Sequence, residues 1–308
     1  MNALVTGASG FVGRHLVRAL LDARWNVTTL DARPRPHPKG VRAIVTDLAR
    51  VERLRGLRPD VTFHLASIAR PVQCDADPPT AFRVNAAGSL RVLRALPKRC
   101  RFIHISSGDV YGRPQTVPTS ESEPLRPANA YGASKLCAES MLLAERDDVV
   151  ILRPFNHIGP GQSPGFVAAD FASQVALAEA RRRSPTIRVG RLSPVRDFLD
   201  VRDVVRAYLL AALDLSPGIY NIASGERVSI GDLLRMLLGL ARIPIRVCHD
   251  RALHRRGEPD VRIGDSTRFR EATGWRPTIP LRRTLADLLE FERARLRISR
   301  HHSVRDTI

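Results

Sequence analysis

Glycines at positions 7, 10 and 13 separate a short β-branched run from an amphipathic segment, in Gly7-Ala8-Ser9-Gly10-Phe11-Val12-Gly13. Few folds place glycine in this way. A strand that turns at once into a helix needs a residue without Cβ at the bend, and another where helix and turn touch. The first helix amides then face outward, where a pyrophosphate can sit. The first half of the chain repeats the theme. Residues 3–6, 26–30, 42–46, 61–65, 102–106 and 149–153 read as strands, and 12–24, 51–57, 79–96 and 130–146 as helices. This alternation predicts an α/β fold of Rossmann type, a doubly wound parallel sheet with helices on both faces. Asp31 closes the second strand, where a carboxylate can hydrogen-bond the adenosine ribose of NAD. Arg33, two residues on, suits the 2′-phosphate of NADP instead. Either cofactor is open, with NAD favoured.

After Pro154 the texture changes. Glycine and proline cluster in Gly159-Pro160-Gly161-Gln162-Ser163-Pro164-Gly165. The later strands (187–189, 218–222, 245–248) stand apart from one another, and helices are expected over 167–183, 201–213 and 230–241. Residues 1–154 are expected to form the NAD(P)-binding domain. Residues 155–292 are expected to form mainly a smaller α/β substrate-binding lobe, with elements that return to the first domain. Residues 293–308 are basic and lack a sustained apolar stripe, which predicts a frayed or disordered tail.

The formal charge is +18, and lysine occurs only at Lys39, Lys98 and Lys135. The arginines are spread along the chain and aromatic residues make up only 5% of it, without an RNP-like strand or a Cys/His finger. This argues against a nucleic-acid binder and fits a small anionic substrate such as a nucleotide diphosphate. No apolar run is long enough to span a bilayer, so no membrane partner is expected. The opening Met1-Asn2-Ala3-Leu4-Val5 has no charged leader or cleavage site, and Cys74, Cys100, Cys137 and Cys248 show no CxxC spacing. Free thiols in a cytoplasmic protein, with no metal site, are the expectation.

Among so many arginines, Lys135 is conspicuous. It lies four residues after Tyr131 in Tyr131-Gly132-Ala133-Ser134-Lys135, on the same face of a helix. An ammonium beside a phenol favours phenolate and brings its pKa closer to working pH. The diffuse charge of arginine would do this less well.

The glycine spacing together with Tyr-x-x-x-Lys resembles the extended short-chain dehydrogenase/reductase family of nucleotide-sugar epimerases, dehydratases and reductases. The resemblance runs over most of the chain, from about residue 2 to 289. Thr6 to Gly13 is similar to the family's opening, which implies cofactor contacts at Gly7, Ser9, Gly10, Phe11, Val12 and Gly13. Asp47-Leu48 resembles its adenine-contact pair, and His64-Leu65-Ala66 its fourth-strand motif beside the cofactor. Asn85 resembles the helix asparagine that supports the active site. Ser106-Ser107-Gly108-Asp109-Val110-Tyr111-Gly112 resembles the active-site strand, with Ser107 at the catalytic Ser/Thr position. Arg153-Pro154-Phe155-Asn156 resembles the turn beside the nicotinamide where the substrate site begins.

The resemblance implies that Tyr131 exchanges the proton at a sugar oxygen and that Lys135 supports it and bonds the nicotinamide ribose. It implies that Ser107 hydrogen-bonds the reacting oxygen. Within the family, the stretches at 106–112 and 153–167 look most like the group that reduces the C4 ketone of GDP-4-keto-6-deoxymannose to GDP-D-rhamnose. Substrate contacts are then expected at Ser107, Gly108, Asp109, Tyr131, Asn156 and Val167. Arg196-Asp197-Phe198 resembles an arginine turn that grips the diphosphate. Arg255-Arg256-Gly257-Glu258 resembles a late nucleotide-contact motif, with Arg255 on phosphate, Glu258 on ribose or base, and Arg262 a further candidate. Dehydratases of the family carry an acidic pair or a glutamate beside the catalytic Ser/Thr, whereas here Gly108 and Asp109 follow Ser107. A 4-epimerase or 4,6-dehydratase with tightly held NAD is the alternative, and a non-catalytic nucleotide-binding protein a more distant one. Arg70 departs from the expected loop composition. The resemblance also implies a homodimer through the helices at 79–96 and 130–146.

Overall fold

The computed structural model describes residues 1–48, 51–54, 56–253 and 259–305. The expected strands of the first half are present as β1 (Asn2–Thr6), β2 (Asn26–Asp31), β3 (Arg42–Val45), β4 (Val61–His64), β5 (Arg101–Ile105) and β6 (Val150–Pro154). The central strands are buried on both faces, β4 and β6 throughout, as a sheet covered by helices on both sides requires, while the edge strand β3 is half-exposed. With a late strand, Gly218–Ile222, they form one parallel sheet in the order Gly218–Ile222, β6, β5, β4, β1, β2, β3. The order reverses between β1 and β4. A crevice opens there over the carboxyl ends of the strands, where doubly wound sheets hold their ligands.

Helix α1 (Phe11–Asp22) begins at Gly10, which offers no side-chain cap, so its first amides stay available. Helices α2 (Pro71–Ala76) and α3 (Pro78–Phe82) follow β4, and Asp77 caps α3 by accepting from Thr80 N. Residues Arg83–Ala87 form a π turn before α4 (Gly88–Ala95). The single helix expected over 79–96 is therefore broken, because a one-residue bulge leaves the apolar stripe almost unchanged. The helix expected at 51–57 is only a 3₁₀ turn, Val51–Leu54. Helix α5 (Ala130–Glu145) starts where the Asn129 side chain accepts from Gly132 N at 2.8 Å.

The second half contains β7 (Asn156–Ile158), α6 (Val167–Glu179), β8 (Thr186–Val189), β9 (Val195–Arg196), β10 (Phe198–Asp200) and α7 (Val201–Asp214). It continues with β11 (the Gly218–Ile222 strand), β12 (Val228–Ser229), α8 (Ile230–Leu238), β13 (Arg246–His249), β14 (Val261–Arg262), α9 (Thr267–Thr273) and α10 (Leu281–Arg305). Helix α7 packs on α1, and β11 and α9 join the same core around Trp275 and Phe269. A second core, built from α6, α8 and α10, forms the smaller lobe. The boundary expected at 292/293 is absent. Helix α10 runs through it, and Arg293 is buried against Glu179 with contacts of 2.5 and 2.6 Å. Leu285, Leu288 and Leu289 carry the apolar stripe that holds this helix on the lobe. Among the described residues, no helix is long and apolar enough to cross a membrane.

Candidate active site

A cleft of about 1570 Å³ lies between the sheet and the smaller lobe. Its floor is the glycine turn. Gly7 has φ +69°, and a Cβ there would lie 2.8 Å from the Ala66 backbone. At Gly13 a Cβ would lie 2.3 Å from the Gly7 carbonyl oxygen. The turn therefore presses against both β4 and α1, and no side chain caps the first amides of α1. Gly7, Ser9, Gly10, Phe11, Val12 and Gly13 all line it, as do Leu65 and Ala66.

Asp31 accepts from Ser9 N at 2.9 Å and Ser9 Oγ at 2.7 Å. Its second oxygen is buried without a hydrogen bond, 3.4 Å from His37 Nε2. An orphaned carboxylate oxygen beside a glycine turn fits a ribose hydroxyl. Arg33 is exposed, and neither it nor Asp31 lines the cleft. Asp47 is exposed and Leu48 is buried against Gly88, both outside the cleft wall.

At the other end, Ser106, Ser107, Gly108, Asp109, Tyr131, Lys135, Pro154, Phe155, Asn156 and Val167 converge on the same cleft. Ser107 caps a 3₁₀ turn, Gly108–Tyr111, by accepting from Asp109 N at 3.1 Å. This folds the Asp109 carboxylate back over the serine, whose hydroxyl lies 3.3 Å from Asp109 Oδ2. Asp109 Oδ1 pairs with Arg262 Nη1 of β14 at 2.5 Å, a cross-lobe contact that joins the two cleft walls. Phe155 fills the space beside Gly108, where a Cβ would meet its ring at 3.3 Å.

Lys135 is buried and donates to the Ile105 carbonyl at 2.7 Å. Burial lowers it to about 8, with Glu139 opposing. The expected depression of Tyr131 is not what the structure shows. Burial, and then the Asp109 carboxylate, push the phenol above its ordinary value, with the facing Ser107 hydroxyl and Arg262 working the other way. Spacing on one helix face indicated a neighbour for the phenol. It could not indicate the carboxylate that β5 delivers from the opposite side.

Asn85 does not line the cleft. It supports it: Asn85 Oδ1 accepts from Ile68 N at 2.8 Å, and Asn85 Nδ2 donates to Ser134 Oγ at 2.9 Å, one turn from Tyr131. Below it, His64 bridges Thr6 Oγ1 and Ser89 Oγ at 2.8 Å each, and burial holds its imidazole neutral, down at about 3. A network that sequence reasoning missed lies behind β6. Arg153, 1% exposed, donates to both Glu139 oxygens (Nε to Oε1 3.0 Å, Nη2 to Oε2 2.5 Å) and to Tyr111 Oη at 2.9 Å. Tyr111 in turn donates to Asn221 at 2.8 Å, and the Ser106 hydroxyl bonds Glu139. A buried arginine needs such a partner set, so Glu139 on α5 could have been sought from Arg153 alone.

Arg196 also lines the cleft but is almost fully buried, donating to the Val195 and Asp260 carbonyls at 2.8 and 3.3 Å. Arg255 and Glu258 lie outside the described residues. Arg70 reaches from the sheet side to the Pro164 carbonyl at 2.5 Å, a second link across the cleft. Among the described residues, no group of His, Cys, Asp and Glu is arranged to hold a metal.

This glycine turn, the Ser107–Tyr131–Lys135 arrangement and the sheet order define a nicotinamide-dependent enzyme class. The chain belongs to the NAD dependent epimerase/dehydratase family, whose model matches residues 3–223. More narrowly, the chain is 36% identical over 306 residues to GDP-6-deoxy-D-mannose reductase of Pseudomonas aeruginosa, covering 95% of this chain and 97% of that one. It is 32% identical to UDP-glucose 4-epimerase of Mycolicibacterium smegmatis, covering 95% and 99%. The solved structure of RMD from Pseudomonas aeruginosa complexed with NADPH matches with a TM-score of 0.83 at 35% identity, covering 96% and 99%. A UDP-glucose 4-epimerase from Thermotoga maritima, solved with UDP-glucose, matches at 0.84 and 28% identity, covering 96% and 100%.

Proposed function

We propose that the protein reduces the C4 ketone of a GDP-linked 4-keto-6-deoxyhexose, converting GDP-4-dehydro-6-deoxy-D-mannose to GDP-D-rhamnose. The observation that carries this reading is the state of the one acid beside Ser107. Asp109 is paired with Arg262, and Gly108 has no side chain, so this corner lacks the free acid that removal of water would need. Ketone reduction needs only a hydride and one proton. The similarity to a GDP-6-deoxy-D-mannose reductase supports the same choice.

The bound nicotinamide supplies the hydride. Everything else falls to the chain. The amides of α1 with Gly7, Ser9 and Gly10 hold the pyrophosphate, and Asp31 takes the adenosine ribose, which favours NAD. Lys135 turns from the Ile105 carbonyl to the second ribose. Ser107 donates to the ketone oxygen, and Tyr131 gives it the proton that completes the alcohol. Phe155 and Val167 exclude water over the sugar. Arg196, with Arg255 and Glu258, holds the nucleotide. A homodimer belongs to the same proposal, since Phe82 of α3 and Leu143 of α5 are exposed at 37% and 38%.

The test is to mix the purified protein with GDP-4-keto-6-deoxymannose and NADH or NADPH. Loss of reduced cofactor with formation of GDP-D-rhamnose is expected, and no loss with either cofactor rejects the proposal. The second reading, a 4-epimerase, draws on the similarity to UDP-glucose 4-epimerases. It requires NAD that copurifies with the protein and turnover without added cofactor.

A further inference from the structure

His37 hides the oxygen on which the ribose contact depends. It lies in Arg33-Pro34-Arg35-Pro36-His37-Pro38, the segment that follows β2. Each proline fixes its own φ and holds the residue before it extended, so the segment is stiff. It folds back onto the strand it has just left. Thr29 and Asp31 are two residues apart on β2 and share a face. His37 Nε2 meets both, 3.2 Å from Thr29 Oγ1 and 3.4 Å from Asp31 Oδ2. A carboxylate only accepts, so the ring nitrogen that faces it is the one carrying the hydrogen. The two side chains are 9% and 6% exposed, and Asp31 Oδ2 is sealed from water without a hydrogen bond. Asp31 has no room to retreat. Its other oxygen accepts from Ser9 N and Ser9 Oγ, and its carbonyl accepts from Thr46 N at 3.0 Å. Ser9 lines the cleft, so the covered carboxylate borders the space a dinucleotide takes.

We infer that His37 is a coenzyme-specificity residue: it covers the Asp31 carboxylate and so lets the site take NADPH as well as NADH. This rests on the reading of Asp31 as the adenosine-ribose contact. The two coenzymes differ only at the ribose 2′ position, which carries a hydroxyl in one and a phosphate in the other. A hydroxyl donates to a carboxylate, whereas a phosphate dianion has no hydrogen to give and is repelled by the like charge. An open Asp31 would therefore select NADH strongly. Here the carboxylate is bonded to Ser9 on one side and shielded by the His37 N–H on the other. A ribose hydroxyl has to move the ring aside to reach Oδ2, and a phosphate meets the ring before it meets the charge. Arg33 and Arg35 are exposed in the same stiff segment and supply the cations that a 2′-phosphate needs.

The test measures Kd for NADH and for NADPH by titration calorimetry, without sugar substrate, on the full-length protein and on variants checked by thermal melt. His37→Ala uncovers the carboxylate, and the ratio of the NADPH Kd to the NADH Kd should rise by about tenfold. His37→Gln keeps an N–H on a side chain of similar reach, and the ratio should rise less. Asp31→Asn should lower the ratio, and His37→Ala added to it should change nothing further, because the charge that His37 covers is gone. Equal weakening of both coenzymes by His37→Ala would make the ring a support for the loop and overturn the inference. A rise in the ratio that persists in the Asp31→Asn background overturns it too. Failure of the ribose reading has a different signature. In that case Asp31→Asn alone leaves the ratio unmoved, and the role of His37 falls with it. Where Asp31→Asn moves the ratio and His37→Ala does not, the ribose contact stands and only the role of His37 is rejected.

Discussion

The floor of the cleft depends on the absence of one methyl group, at Gly13. A Cβ there would lie 2.3 Å from the Gly7 carbonyl oxygen and 2.7 Å from both Cα and the carbonyl oxygen of Ala8, all backbone atoms. Ordinary contact begins at 3.4 Å, so Gly13→Ala forces α1 off the turn by 3.4 − 2.3 = 1.1 Å. Overpacking of this kind costs about 1–3 kcal/mol of stability. The larger effect should fall on the cofactor. The bonds Gly10 N to Gly7 O and Arg14 N to Gly10 O, each 3.1 Å, set the direction of the first α1 amides. A hydrogen bond from an amide to phosphate is worth about 1.5–3 kcal/mol, so misaiming one raises Kd by roughly 10- to 100-fold. Titration calorimetry with NADH and NADPH measures it. Both should weaken in parallel, since the pyrophosphate is common to them. Gly239→Ala, whose Cβ would find its nearest neighbour at 3.4 Å, serves as the control and should bind normally. A folded Gly13→Ala variant with the wild-type Kd would refute the assignment of this turn as the pyrophosphate cradle.

Three further outcomes are expected. Tyr131→Phe should lose turnover by about 10²- to 10⁴-fold while binding NADH normally; full activity would remove the phenol from the chemistry. Glu139→Gln leaves the guanidinium of Arg153 buried without its counter-ion, and urea unfolding should report a loss of about 3–5 kcal/mol; an unchanged midpoint would show the network to be dispensable. Lys135 titrates at about 8 when folded against 10.5 ordinarily, so the folded state releases its proton first. Its contribution to stability therefore rises with pH between about 8 and 10.5, as the buried charge is neutralised. Lys135→Met should abolish that rise, and should be more stable than the wild type at pH 7 by about 3 kcal/mol, though inactive. A variant that keeps the pH-dependent rise would show that another group causes it.

The middle of the sheet was legible because its strands are short apolar runs bounded by turns, and burial on both faces writes that pattern directly into the residues. Val150–Pro154 and Val61–His64 are examples. The glycine turn was legible for the same kind of reason, since Gly7 and Gly13 answer a backbone demand that other residues cannot meet. Elements whose existence depends on distant partners were not. Strands β9, β12 and β14 are two residues long and exist only because three remote segments pair. The Asp109–Arg262 contact joins residues far apart in sequence; Arg262 stood out only as a candidate nucleotide contact, and nothing in the sequence paired it with Asp109. Arg293 was hidden by the same abundance. Its basic neighbours suggested a tail, yet it is bonded to Glu179 of α6.

The path of the chain between its two cores bears on how the cleft can move. The chain leaves the sheet after β6 and returns for α7 and β11. It leaves again for β12 and α8, comes back for α9, and leaves once more for α10. Five covalent crossings hold the walls of the cleft at a set spacing. A rotation about one hinge would strain at least four of them, so adjustment to a ligand is restricted to small sliding of packed helices. The order of synthesis is affected too. Helix α6 packs along α10, so the smaller lobe has no complete core until the last helix has been made. Until then the apolar face of α6 needs protection, and a chain cut before Leu281 should be unable to build the smaller-lobe wall of the cleft at all.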